Sequence, residues 1–151
     1  MEITKLPEEI LGRTMKQIPP EEIKNGDYAE LISDMKKSMV KANGVGLAAN
    51  QVGKDLAIFV IDAKLAKENE VPEAYFNPEI TDRSDEADYL EEGCLSIPGF
   101  YTEIKRSKKV MLKALDEGGK KIKIKARGFL ARVYQHETDH LNGLTIKDRM
   151  K

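Results

Sequence analysis

The run His136-Glu137-Thr138-Asp139-His140 constrains this chain more than any other feature, because its chemistry requires a helix. Residues four apart are neighbours on one helix face, so both imidazoles can point at one metal ion. Glu137 sits beside the pair, placed to take a proton from a water molecule without itself ligating the metal. The helix is legible independently: Leu130, Val133, Tyr134, Glu137 and Leu141 recur at helical spacing from about Gly128. Asn142-Gly143 then makes a natural C-cap. The chain has only these two histidines, which makes their spacing hard to assign to chance. Metal-dependent hydrolysis is the chemistry this pattern suits.

Two histidines do not complete such a site, which usually has three protein ligands and one open position. A metalloprotease of the extended His-Glu-x-x-His-x-x-Gly-x-x-His type would need histidine at Ile146; Gly143 fits that pattern and Ile146 breaks it. Asp148 is the only acidic residue after His140 and is too close along the chain to fold back comfortably. The third ligand is therefore expected upstream, and Cys94, the only cysteine, is the leading candidate. On spacing alone a lone thiol reads equally well as a buried structural residue or as a ligand. As a thiolate it would leave iron and zinc both open. A single cysteine excludes an internal disulfide and suits a reducing compartment, the cytoplasm.

At 151 residues the chain has the size of one domain, 1–151, with 40% hydrophobic and 34% charged residues, as in globular proteins. Lys+Arg (25) and Asp+Glu (26) nearly cancel, so no global field recruits nucleic acid or an anionic membrane, and neither partner is expected. The apolar run 56–61 is too short to span a bilayer, and the first residues have no signal-peptide character. The segment to Gly26 reads as an irregular arm. Asp27 and Glu30 have capping-box spacing, after which Tyr28, Leu31, Ile32, Met35 and Met39 mark an amphipathic helix ending before Asn43-Gly44. Strands are predicted at 56–61, 74–76, 87–90 and 144–146. A hairpin of 110–115 with 120–125 turns at Asp116-Glu117-Gly118-Gly119, its Ile122 and Ile124 inward and its lysines outward. A helix, then strands, then a helix predicts an α+β fold with antiparallel β-sheets packed around the metal-binding α-helix, plus an N-terminal helix.

The remaining glycine-rich run is Gly44-Val45-Gly46-Leu47-Ala48-Ala49-Asn50-Gln51-Val52-Gly53. It follows a helix rather than a strand and lacks Gly-Lys-Ser/Thr, so a nucleotide loop is a poor reading. Gln51 is a neutral amide donor of the kind that stabilises an oxyanion. Together, Gly44-Val45-Gly46-Leu47-Ala48-Ala49-Asn50-Gln51, Glu92-Gly93-Cys94-Leu95-Ser96 and Gln135-His136-Glu137-Thr138-Asp139-His140 resemble the three motifs of peptide deformylases, in order and without gaps.

The resemblance implies removal of the formyl group from N-formylmethionyl peptides at the start of nascent chains, releasing formate. It implies one divalent metal ion held by Cys94, His136 and His140, with Fe²⁺ expected in the cell and Zn²⁺ or Ni²⁺ as substitutes. Glu137 would be general base and acid, and Gln51 with the backbone N–H of Leu95 the oxyanion hole. Gly46 would contact the substrate backbone, while Val133 and Phe129 would line the methionine pocket. Asp139 and Gln135, flanking the ligands, are candidates to orient them, and Arg106 to pair with Glu92 or another acidic group. Tyr101 stands where some members carry a basic substrate contact. The chain also lacks the C-terminal helix that many bacterial members use for ribosome docking, which sets ribosome association in question. A metallopeptidase and a deformylase relative without activity are the competing readings.

Overall fold

A computed structural model describes residues 1–150. The N-terminal arm is irregular apart from a 3₁₀ turn (Glu9–Gly12) and the short helix α1 (Pro20–Lys24). Helix α2 (Ala29–Lys41) follows and buries Ile32, Met35 and Met39, as the apolar spacing requires. The capping box expected from Asp27 and Glu30 is not formed; the N-cap is Tyr28, which makes no side-chain cap hydrogen bond. The Tyr28 hydroxyl donates to Glu22 at 2.5 Å instead, tying the start of α2 to α1.

Seven strands and three helices follow: β1 (Gly46–Ala48), β2 (Ile58–Ile61), α3 (Ala63–Glu68), β3 (Ala74–Arg83), β4 (Ala87–Cys94), β5 (Ile97–Ser107), β6 (Lys109–Leu115), β7 (Lys121–Arg127), α4 (Gly128–Leu141) and α5 (Ile146–Arg149). A five-stranded sheet has the order β1-β2-β3-β6-β7, and β4 and β5 form a separate two-stranded ribbon. All of these pairings are antiparallel. The β6–β7 hairpin has the predicted turn, and Ile122 and Ile124 pack against the core while Lys121, Lys123 and Lys125 stay exposed.

Residues 144–146 are not a strand. Thr145 caps α5 by accepting from the Lys147 N–H, and Asp148 accepts from the Thr145 N–H. This reciprocal cap satisfies helix-start donors that a lone three-residue strand would leave without partners.

Strand β2 explains the unbroken apolar run. Phe59 and Ile61 face a core shared with α4, whereas Ile58 and Val60 face a second core under α2. A strand covered on both sides cannot alternate. Helix α4 is therefore central: Leu130, Ala131, Val133, Tyr134 and Leu141 pack into the first core. The Tyr134 hydroxyl is hydrogen-bonded to that of Tyr75 on β3 at 2.5 Å. The observed architecture is α+β, with antiparallel sheets around this helix.

Candidate metal centre

Because its apolar positions are fixed in the core, α4 turns His136 and His140 toward Glu92 and Cys94 of β4 and Glu137 toward Gly46 of β1. Cys94 is the last residue of β4. Gly93 pairs with Tyr101, but Cys94 pairs with Ile97, so three residues of β5 loop out between consecutive pairs. An irregularity of this kind re-aims the side chain beside it. Cys94 Sγ lies 3.2 Å from His140 Nε2, and the two Nε2 atoms are 3.2 Å apart. One donor atom from each of the three residues falls within 4.8 Å of the others.

This donor set fits a divalent metal ion. Metal bonds of about 2.0–2.3 Å in tetrahedral geometry separate donors by roughly 3.3–3.6 Å, close to the observed spacing. The protonation pattern points the same way. Burial alone would lower His136, but hydrogen bonds to Cys94 and Glu92 lift it to about 10. Burial and the neighbouring His136 push His140 well below its ordinary value. The two neighbouring imidazoles are thus pushed in opposite directions, in a place where a cation would satisfy both.

Glu92 orders this arrangement. Its Oε1 accepts from His136 Nδ1 at 2.9 Å and from Arg106 Nη2 at 3.0 Å. Its Oε2 accepts from Arg106 Nε at 3.1 Å and from Arg132 Nη1. Burial would raise the Glu92 carboxyl, but the hydrogen bonds from His136 and Arg106 prevail and hold it at about 2. An ionised Glu92 holds a proton on His136 Nδ1, so Nε2 is the ring nitrogen that faces the site. The predicted Arg106–Glu92 pair is therefore present and bidentate. Asp139 reaches the ligands only through Arg106, whose Nη1 donates to it at 2.6 Å. Gln135 does not orient a ligand: its amide bridges the backbone of Ser107 and donates to the Ala131 carbonyl.

The site opens into a cleft of ≈ 660 Å³ lined by Val45, Gly46, Gln51, Leu95, Phe129 and Val133, among others. Glu137 projects into it, with Oε2 3.9 Å from His136 Nε2. Its Oε1 is buried with no hydrogen-bond partner among the described residues, and burial raises its carboxyl to about 7. Gln51 Oε1 accepts from the Ala48 N–H at 2.9 Å, which turns Nε2 toward Ser96 Oγ (3.1 Å) and Cys94 Sγ (3.6 Å). Leu95 lies in the two-residue turn after Cys94. Phe129 is half exposed at the cleft and Val133 is buried.

The fold thus brings the nine predicted site residues together around one cleft. Sequence reasoning missed Glu92 as the partner of His136, and it missed Arg132, Ser96 and Asn50. Asn50 is fully buried and donates from Nδ2 to the His140 carbonyl at 2.6 Å. Glu92 and Asn50 stood inside recognised motifs, but the partners they face are set by tertiary packing.

A thiolate and two imidazoles converging beside a buried carboxyl, at the floor of an open cleft, belong to the metal-dependent hydrolases. Comparison with known proteins narrows this class. The family model for polypeptide deformylase matches residues 1–151. The peptide deformylase of Thermodesulfovibrio yellowstonii is 46% identical over 150 residues, covering 99% of this chain and 88% of the relative. The crystal structure of the Thermotoga maritima peptide deformylase superposes with a TM-score of 0.89 at 36% identity, covering 99% of this chain and 97% of that one. A Vibrio parahaemolyticus bacteriophage enzyme, solved with actinonin, gives 0.86 at 37% identity, covering 96% and 99%. The chain belongs to the peptide deformylase family. It is a hydrolase of the N-formyl C–N bond, and its substrates are N-formylmethionyl peptides.

Proposed function

We propose that residues 1–151 form one catalytic domain in which Cys94, His136 and His140 hold a single divalent metal and Glu137 carries the protons of deformylation. The observation that carries this reading is the convergence of the three donor atoms within 4.8 Å beside the buried Glu137 carboxyl. When bound, the metal supplies Lewis acidity for hydrolysis. Glu137 takes a proton from the attacking water and delivers it to the departing amine nitrogen. Water oxygen joins the formyl carbon, the C–N bond breaks, and formate and a free N-terminal methionine leave. Gln51 Nε2 and the Leu95 N–H stabilise charge growing on the formyl oxygen. Gly46 borders the substrate backbone, and Phe129 and Val133 flank the methionine side chain.

Fe²⁺ is the metal proposed for the cell, with Zn²⁺ or Ni²⁺ as substitutes; a thiolate with two imidazoles suits all three. The proposed compartment is the cytoplasm. No helix of the described residues is long and apolar enough to cross a membrane. The whole-chain family match favours deformylation over a metallopeptidase, and Asp148, engaged in capping Thr145, does not join the donor set. Anaerobically prepared protein with its metal content measured should release formate from formyl-Met-Ala-Ser. Metal-loaded protein that releases none would overturn the assignment.

A further inference from the structure

The metal ligand His136 is the inner end of a buried ionic chain that runs to the last helix. His136 Nδ1–H donates to Glu92, Arg106 grips Glu92 with two nitrogens, and its third contact goes to Asp139. Asp139 is then held by Arg149 of α5, whose Nε donates to Oδ2 and whose Nη2 donates to Oδ1, each at 3.0 Å. The side chains of Glu92, Arg106 and Asp139 are at most 8% exposed, and that of Arg149 is 43% exposed. We propose that Arg149 is a positioning residue of the metal centre, acting through Asp139, Arg106 and Glu92 on the His136 ring.

The argument rests on how Arg106 is shared. Its guanidinium serves two buried carboxylates, Glu92 and Asp139. Arg149 supplies the second cation at Asp139, so Arg106 is free to keep both of its contacts on Glu92. Without Arg149, Asp139 would face Arg106 alone, and a buried carboxylate draws its only counter-charge strongly. The contact put at risk is Arg106 Nη2 to Glu92 Oε1, at 3.0 Å. That same oxygen accepts the His136 proton. A shift of Arg106 is therefore felt directly at the ligand.

Arg149 is not needed to dock its own helix. Ile146, 1% exposed, packs with Ile97 and Ile104, and Met150 bridges to Ile104. Thr145 and Asp148 cap the helix reciprocally. The bidentate grip on Asp139 is an addition to a segment already held in place. It also adjoins a polar cleft of ≈ 300 Å³ lined by Arg83, Lys105, Arg106, Gln135, Asp139 and Arg149, which gives a small cation access to Asp139.

This inference rests on the metal-centre reading, and its test separates the two. Arg149→Met keeps the aliphatic stem and removes the fork. Loss of a partner behind a ligating histidine costs about 10–100-fold in metal affinity, and for a group three ionic links further out we expect the low end, about tenfold. The measurements are the rate of Zn²⁺ release to a chelator and the thiolate-to-cobalt charge-transfer band of the Co²⁺ form. Arg149→Met should release Zn²⁺ faster and shift the band, millimolar guanidinium should reverse both changes, and Arg149→Lys should be intermediate. A band and release rate identical to the parent in either variant, whatever the melting temperature, would overturn the role. Should Arg149→Met not fold, Arg149→Lys alone decides by the same two measurements. A parent chain that takes up neither ion would sink the metal centre itself.

Discussion

Gly46 offers a sharp test, because the structure gives it a task beyond the substrate contact implied by family resemblance. A Cβ built on Gly46 would lie 2.6 Å from Glu137 Oε2, 2.9 Å from Cδ and 3.0 Å from Cγ. Its three nearest neighbours all belong to the proposed general base, so glycine here makes room for that carboxylate. Non-bonded carbons rest at about 3.5–4.0 Å, so Gly46→Ala must displace the Glu137 carboxyl by ~0.6 Å or more. Glu137 is 3% exposed and lines the cleft, so the shift occurs at the site itself. A misplacement of about 1 Å can cost on the order of 10²-fold in rate. We expect kcat to fall about 10- to 100-fold with metal content unchanged and KM moving little, measured by formate release. In a Glu137→Ala background the same substitution should add almost nothing, since its effect passes through the missing carboxylate. Parental kcat in Gly46→Ala, or a rise confined to KM, would refute this and return Gly46 to a pure substrate contact.

Three further outcomes follow from the same geometry. Glu137→Ala should retain the metal and lose roughly 10² to 10⁴ in kcat; near-parental turnover would remove Glu137 from proton transfer. Cys94→Ser should weaken metal binding itself, seen as faster loss of Zn²⁺ to a chelator, and full retention would show that the thiolate is not a ligand. Tyr134→Phe should strand the hydroxyl of Tyr75, fully buried and paired with Tyr134 alone among the described hydrogen bonds. That costs about 1–3 kcal/mol, or roughly 2–4 °C of melting temperature per kcal/mol. The double variant Tyr75→Phe/Tyr134→Phe leaves no orphan and should melt above the single one, and the opposite order in calorimetry would contradict the argument.

The features legible in the sequence are those whose physics is local. Helix α4 is legible with its bounds because apolar periodicity, a histidine pair at four-residue spacing and Gly143 at φ +79°, just past the Asn142 C-cap, coincide in one stretch. The β6–β7 hairpin was readable for the same reason, its turn residues flanked by alternating isoleucine and lysine. Strand β5, eleven residues long, is not legible because its run Ile-Pro-Gly-Phe-Tyr-Thr-Glu-Ile-Lys-Arg-Ser carries turn residues near its start and only three buried positions. It is a strand because β4 pairs with it along nearly its whole length. Residues 144–146 failed in the opposite direction: a short apolar pattern was overridden by the Thr145–Asp148 cap.

The same distinction divides the site. His136, Glu137 and His140 are placed by one helix, so their spacing alone announces a metal centre, whereas Cys94 depends on a ribbon that pairs out of step by three residues. No spacing rule reaches that far; disfavouring a downstream third ligand raises Cys94 above an even choice, and the Glu-Gly-Cys-Leu-Ser motif makes it firm. Glu92 lies further still from sequence legibility. It lies two residues before Cys94 on β4, yet its contacts with His136, Arg106 and Arg132 span 44, 14 and 40 residues of chain. Buried carboxylates need counter-charges to be tolerable, so a chain that buries Glu92 and Asp139 behind the ligands must also bury arginines there. Arg106 and Arg132, each 5% exposed, meet that requirement. The ligands could be read from the helix, but what holds them in register is an ionic network that exists only once the ribbon, α4 and α5 have come together.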